Sequence, residues 1–94
     1  MLYYLSNETI LWSEGVEVTN GWYAFDAYRT VVIQTVKQGN QVGLTMAKLS
    51  EGAFKPKTAT VPISSIVMIT DCTDKRVLTQ LKATLSGIII PGKN

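Results

Sequence analysis

Apolar and polar residues alternate along much of the chain, and this period of two predicts short β-strands. Residues 1–7 are too short a stretch to assign to a strand or a helix. Beyond them, the β-branched and aromatic runs predict strands at residues 9–13, 16–25, 30–36, 41–49, 58–61 and 66–69. The chain is therefore expected to be mainly β up to about residue 70.

Two glycine-containing pairs compete for the first tight turn. Glu14-Gly15 is a plausible turn between the first two strands, because glycine takes positive φ at no steric cost. Asn20-Gly21 is a second hairpin signal, and a competing arrangement puts the tight turn there. We favour a continuous strand over residues 16–25 with Gly21 as a bend, since an interior glycine often marks a sharp curve.

The segment after residue 70 has the pattern of a helix. Val77, Leu78, Leu81 and Leu85 recur at helical spacing, which predicts a helix over about residues 73–86. The acids and the threonine of residues 71–74 offer an N-cap. Gly87 suits the end of the helix, and residues 88–90 are predicted to form a last edge strand.

Length and composition indicate one domain with a partly covered surface. The 94 residues fit a single domain, with a β-rich part at 1–70 and an extension at 71–94. Only 17% of the residues are charged, which is typical of a surface hidden in an oligomer. The net charge is +2, but residues 1–36 sum to −3 and the remainder to +5.

The missing residue types argue against catalysis. The chain has no histidine and one cysteine, Cys72, so it lacks the commonest general base and any internal disulfide. Its seven acids are scattered, and we expect no enzyme activity, no metal and no cofactor. With no signal segment and no apolar run of membrane-spanning length, we expect a soluble, cytoplasmic protein with no membrane partner.

Residues 8–33 contain an ordered series of features. An apolar strand ends at Gly15, an alternating strand follows, and Phe25-Asp26 precedes Tyr28 and a β-branched run. This series resembles the first Sm motif of the Sm-like proteins, the LSm and Hfq proteins. Residues 61–69 resemble the second Sm motif in shape and length, but Pro62 and Ile63 stand where that motif has its basic residue and glycine.

The resemblance implies a small, strongly bent, five-stranded Sm-like barrel. Here it would carry an elongated hairpin between the motifs, turning at Gly39-Asn40, and a C-terminal helix. Such subunits join edge to edge through their last strands into a homo-oligomeric ring. In the family, single-stranded and often uridine-rich RNA binds at the central pore.

The resemblance also implies a set of RNA-binding residues. Asp26 is the orienting acid, and Tyr28 is the platform that stacks on a base. Thr30 stands where the family usually has asparagine, and a hydroxyl makes fewer hydrogen bonds than an amide. Arg29 replaces an apolar core residue, either as the displaced basic group or as a side chain that snorkels past the barrel. Pro62 and Ile63 occupy the place of the residues that close the pocket.

Structural interpretations of the same residues remain open. Asp26 is equally compatible with an Asx-type turn that accepts from the following amides. Tyr28 is compatible with ordinary packing, and Lys48, Lys55 and Lys57 with a solvated loop.

The resemblance therefore implies two alternative functions. The first is a ring-forming, RNA-binding protein. The alternative is a scaffolding ring that has lost RNA binding and contacts a protein partner through residues 71–94.

Overall fold

A computed structural model describes residues 1–87 as eight strands in two antiparallel sheets, followed by one C-terminal helix. The mainly β class is therefore confirmed. The elements, in chain order, are β1 Leu2–Leu5, β2 Ile10–Ser13, β3 Val16–Thr19, β4 Trp22–Asp26, β5 Thr30–Gln38, β6 Gln41–Lys48, β7 Thr58–Pro62, β8 Ile66–Thr70 and α1 Lys75–Ser86.

The larger sheet has the strand order β6-β5-β2-β1-β8, and the smaller sheet has the order β3-β4-β7. Residues 1–7, which the sequence pattern leaves unassigned, contain β1, and this strand lies in the interior of the larger sheet between β2 and β8. It pairs with β2 in the register Tyr3↔Leu11 and with β8 in the register Tyr3↔Ile69. A register shift between Tyr4 and Leu5 leaves a bulge in β8.

The predicted continuous strand over residues 16–25 is wrong. The chain reverses at Asn20-Gly21, and β3 pairs with β4 in the register Thr19↔Trp22. Both turn residues have positive φ, 43° at Asn20 and 85° at Gly21. This is the conformation of a type I′ hairpin turn, so the local turn chemistry prevails over the bend that we favoured.

Glu14-Gly15 is a bend between two sheets. The sequence pattern makes a tight turn plausible at this position, and this expectation is corrected. The strands β2 and β3 on either side of it lie in different sheets and do not pair. A Cβ on Gly15 would lie 3.1 Å from Asp26 Cβ and 3.2 Å from Arg29 Cδ. A side chain at this position would require Asp26 or Arg29 to shift by a few tenths of an ångström, because the end of β4 and the turn after it pass close to the bend.

Three connections carry the chain directly from one sheet to the other. Glu14-Gly15 joins β2 to β3, a 3₁₀ turn at Ala27–Arg29 joins β4 to β5, and a second at Ile63–Ser65 joins β7 to β8. Pairing runs from β1 to β2, from β3 to β4, from β4 to β7, and from β8 back to β1. The two sheets are thus folded over each other by bent chain segments.

Two apolar clusters fill the two sides of the larger sheet. Tyr3, Leu11 and Phe25 lie between the sheets, with the Tyr3 and Phe25 rings edge to face at 5.0 Å. Trp12, Val31, Ile33 and the helical Leu81 form the other cluster, which lies under α1. Alternate residues of β2 and β5 therefore serve two cores, which explains why both strands carry nearly continuous apolar runs.

The C-terminal helix follows its predicted pattern closely. Asp74 is the N-cap, and its Oδ1 accepts hydrogen bonds from the amides of Arg76 and Val77 at 2.9 and 3.4 Å. Gly87 ends the helix in the left-handed conformation with φ of 76°. The predicted strand at residues 88–90 lies outside the described residues. Among residues 1–87, no helix has the length and apolar character required to cross a bilayer.

Candidate nucleic-acid and assembly surfaces

The 3₁₀ turn at Ala27–Arg29 positions the central residues of the first motif. Asp26 Oδ1 accepts a hydrogen bond from the Tyr28 amide at 3.0 Å, so Asp26 caps this turn. The buried Ala27 anchors the turn, and its amide donates to the carbonyl of Lys57 at 3.0 Å. The Asx-type role of Asp26 is thus present, and its result is to fix the backbone that carries Tyr28.

Tyr28 points away from both cores and is 51% exposed. Lys48, the last residue of β6, places its Nζ 5.9 Å from the centroid of the Tyr28 ring. This distance is within the range of a cation–π contact. The two residues together present an aromatic face and a positive charge to solvent.

Arg29 lies on the other side of the turn. Its side chain lines a cleft of about 460 Å³ together with Glu14, Glu17 and Asp26. Three acidic residues and one basic residue therefore line the cleft, so it has little to attract a phosphate. The basic character of this end of the molecule is found on the Tyr28 side instead.

Thr30 is fully buried, unlike Tyr28. Its hydroxyl donates to the carbonyl of Asp26 at 2.7 Å and lies 2.7 Å from Ser13 Oγ. The hydroxyl is therefore occupied by bonds within the fold. The structure places Thr30 beneath the turn, as part of its support.

Pro62 and Ile63 are not brought together with Tyr28. Pro62 pairs with Trp22, whereas Asp26 pairs with Thr58 at the opposite end of β4. The Ile63 amide donates to the carbonyl of Gly21 at 2.9 Å, beside the hairpin turn. Since β4 is five residues long, about 13 Å separates the two groups.

Two features were not predicted from the sequence, the position of Lys48 in the β5–β6 hairpin and the exposure of Phe54 in the loop after it. The β5–β6 hairpin pairs Val31 with Lys48, and counting back from a turn at Gly39-Asn40 would have found that register. The loop after β6 carries Phe54, which is 96% exposed. Its place in a loop between a glycine and a proline was the available signal, but no pattern indicated the direction of its side chain.

The larger sheet ends in two apolar edges. Val42 and Leu44 are exposed on β6 at one edge, and Val67, Met68 and Ile69 are exposed on β8 at the other. In the described part of the chain, each of these strands pairs with a neighbour on one side alone. A mainly hydrophobic edge strand is prone to pair with another chain.

In the chain up to Gly87, no group of three or more acidic, cysteine or histidine side chains is arranged to hold a metal ion. The comparisons with known proteins gave no match to a family model, to a curated protein or to a solved structure.

Proposed function

We propose that this protein is a ring-forming, Sm-like subunit that binds single-stranded RNA at Tyr28. The fold proposed is a small barrel in which β2–β3, β4–β5 and β7–β8 each act as one bent strand. With β1 and β6 they make five. The last strand, β8, pairs with the first strand, β1, as a closed barrel requires, and this supports the proposal.

Assembly would use the outer edges of β6 and β8. Both edges carry exposed aliphatic side chains, and between them Lys48 is the single charged residue. They lie at opposite ends of the same sheet. A head-to-tail contact between the β6 edge of one copy and the β8 edge of the next repeats around a ring if the rotation closes.

The pairing of Tyr28 with Lys48 is the observation that carries the RNA-binding proposal. A half-exposed tyrosine ring offers a stacking face to a base, and the ammonium 5.9 Å from its centroid offers a charge to the adjoining phosphate. Asp26 holds the backbone of Tyr28 in place. The buried hydroxyl of Thr30 is unsuited to reading a base edge, so little sequence preference is expected.

Titration of the protein with a fluorescent oligouridine at two salt concentrations tests this proposal. Binding that weakens as salt rises is expected, because phosphate contacts release counterions. An oligouridine that stays unbound at low salt would contradict RNA binding.

A scaffolding ring without RNA is the second candidate. The acidic lining of the Arg29 cleft and the separation of Pro62 and Ile63 from Tyr28 favour it. In this case the extension at 71–94 would contact a protein partner. Removal of residues 71–94 would also uncover Trp12 and Val31, so exposed helix positions such as Lys75 and Arg76 are the better sites for testing partner binding.

A further inference from the structure

The loop between β6 and β7 holds an aromatic side chain almost entirely in solvent. Phe54 is 96% exposed, and Lys55 and Lys57 follow it on either side of Pro56. An exposed phenylalanine forgoes the favourable free energy that burial of its ring would release. Aromatic side chains are enriched at surfaces that bind a partner, and an aromatic ring beside cations is the combination found in sites for single-stranded nucleic acid.

The loop is built on backbone hydrogen bonds. The Gly52 amide donates to the carbonyl of Leu49 at 3.1 Å, and the Lys55 amide donates to the carbonyl of Gly52 at 2.9 Å. Lys55 has φ of 50°, a conformation uncommon for a residue with a side chain. Pro56 restricts the backbone further, so Phe54 stands at the tip of a defined turn.

The same loop is tied to the turn that carries Tyr28. The Ala27 amide donates to the carbonyl of Lys57, and Lys48 lies both beside the Tyr28 ring and at the start of the loop's 3₁₀ turn. Two exposed aromatic rings and three lysines therefore belong to one end of the molecule. Glu51 is the single acid in residues 48–57.

We propose that the loop from Gly52 to Lys57 is a second contact for the nucleic acid, with Phe54 as a stacking platform for a base. Lys55 and Lys57 contact the phosphates beside that base. The inference rests on the proposed binding of RNA at Tyr28 and extends the bound tract from there. Interleaved aromatic rings and cations are how proteins bind single strands with little sequence preference.

A membrane surface suits the loop less well. One inserted phenylalanine per chain gives weak and reversible attachment, since stable anchoring takes two signals. The second ring at this end, Tyr28, is half-exposed with a lysine beside it, a combination that suits a base and its phosphate.

The test compares Phe54→Ala with Tyr28→Ala on a short and a long oligouridine. Tyr28→Ala weakens both, whereas Phe54→Ala weakens the long one about tenfold and leaves the short one unchanged. Phe54→Tyr retains binding, because the ring is kept. Val18→Ala, an exposed apolar change on β3 away from both proposed assembly edges, is the matched control and binds as the wild type does.

The salt dependence tests the two lysines separately. Replacing Lys55 and Lys57 with alanine lowers the slope of log K against log salt by about 0.7 for each lost contact. An unchanged slope would overturn their phosphate contact.

The outcomes also separate the inference from the proposed function. If the wild type and Phe54→Ala bind the long oligouridine equally well, this inference alone is overturned. Failure of the wild type to bind at all overturns both. A third outcome is that the wild type binds phosphatidylserine vesicles, that Phe54→Ala does not, and that both bind oligouridine equally. This result overturns the assignment of the loop to nucleic acid in favour of a membrane.

Discussion

Ser13 Oγ lies 2.7 Å from Thr30 Oγ1, which joins the end of β2 to the start of β5 inside the protein. The Thr30 hydroxyl donates its hydrogen bond to the carbonyl of Asp26, so the Ser13 hydroxyl is the donor in the bond between the two side chains. The pair thus supports the bend at Gly15 and the turn that presents Tyr28. Thr30, which the family resemblance assigns to base recognition, here supports the turn at Ala27–Arg29.

Thr30→Val should lower the free energy of unfolding by about 1–3 kcal/mol. Valine preserves the shape but leaves the Ser13 hydroxyl and the Asp26 carbonyl each without one partner in a buried site. Urea denaturation followed by tryptophan fluorescence measures the loss. Thr45→Val is the control, because its hydroxyl is exposed and makes a long bond of 3.4 Å. Equal stability of the two variants would contradict a structural role for Thr30.

Leu81→Ala should cost about 2–5 kcal/mol of stability. Leu81 is fully buried and is the residue of α1 that enters the cluster with Trp12, Val31 and Ile33. Val18→Ala on β3, an exposed aliphatic residue outside both proposed assembly edges, should change stability little and provides the comparison. Thermal unfolding at one protein concentration compares the two variants. A small effect of Leu81→Ala would mean that α1 is not required to cover the larger sheet.

Tyr3→Phe should reduce the loss of stability at alkaline pH. Burial raises the pKa of Tyr3 above its usual 10.0, and the neighbouring Tyr23 phenol adds to the rise. Because the folded state holds the proton longer than the unfolded state, stability falls as the pH rises above about 10. Urea midpoints at about pH 8 and about pH 11 should differ less in Tyr3→Phe than in the wild type. The same difference in both proteins would contradict this.

Tyr28→Ala should weaken oligouridine binding by about 1–3 kcal/mol, the usual worth of one stacked base. Trp22→Ala removes another aromatic ring, 48% exposed at the far end of β4, and should leave affinity unchanged. Fluorescence anisotropy with a labelled oligouridine measures both. Equal losses in the two variants would indicate general damage to the fold instead of a stacking site at Tyr28.

Lysine substitutions on the two edges should block assembly, because a charged side chain on an edge strand opposes pairing. Val67→Lys on β8 and Leu44→Lys on β6 should each give monomers. Mixed together, they should form dimers, since each retains the edge that the other has lost. Val18→Lys, an equally exposed change on β3, should assemble normally.

The mixing experiment also distinguishes the symmetry of the contact. If β8 paired with β8 of a second copy, Leu44→Lys alone would still form dimers. That result would contradict the head-to-tail arrangement and with it a ring.

The sequence predicts elements well where the pattern is local. The hairpin turn at Gly39-Asn40 and the helix capped by Asp74 both depend on turn chemistry and spacing within a few residues. The predicted strand over 16–25 is wrong because strand-forming residues stand on both sides of Asn20-Gly21. The apolar pattern is the same for a bent strand and for a hairpin, and the positive φ of both residues decides between them.

The candidate site was predictable in part. The position of Asp26 as a cap follows from its place two residues before Tyr28. The burial of Thr30 does not follow, because it depends on Ser13, seventeen residues away, closing over it from β2. The separation of Pro62 from Tyr28 likewise depends on the register of β4 with β7, which no local pattern encodes.

The mass of the wild-type protein in solution, measured by size-exclusion chromatography with light scattering, tests the central claim most directly. If the protein forms the proposed ring, the measured mass is one discrete multiple of the chain mass and persists on dilution. The Val67→Lys variant has the mass of a monomer. A wild-type protein that is monomeric at all concentrations would contradict assembly through the β6 and β8 edges.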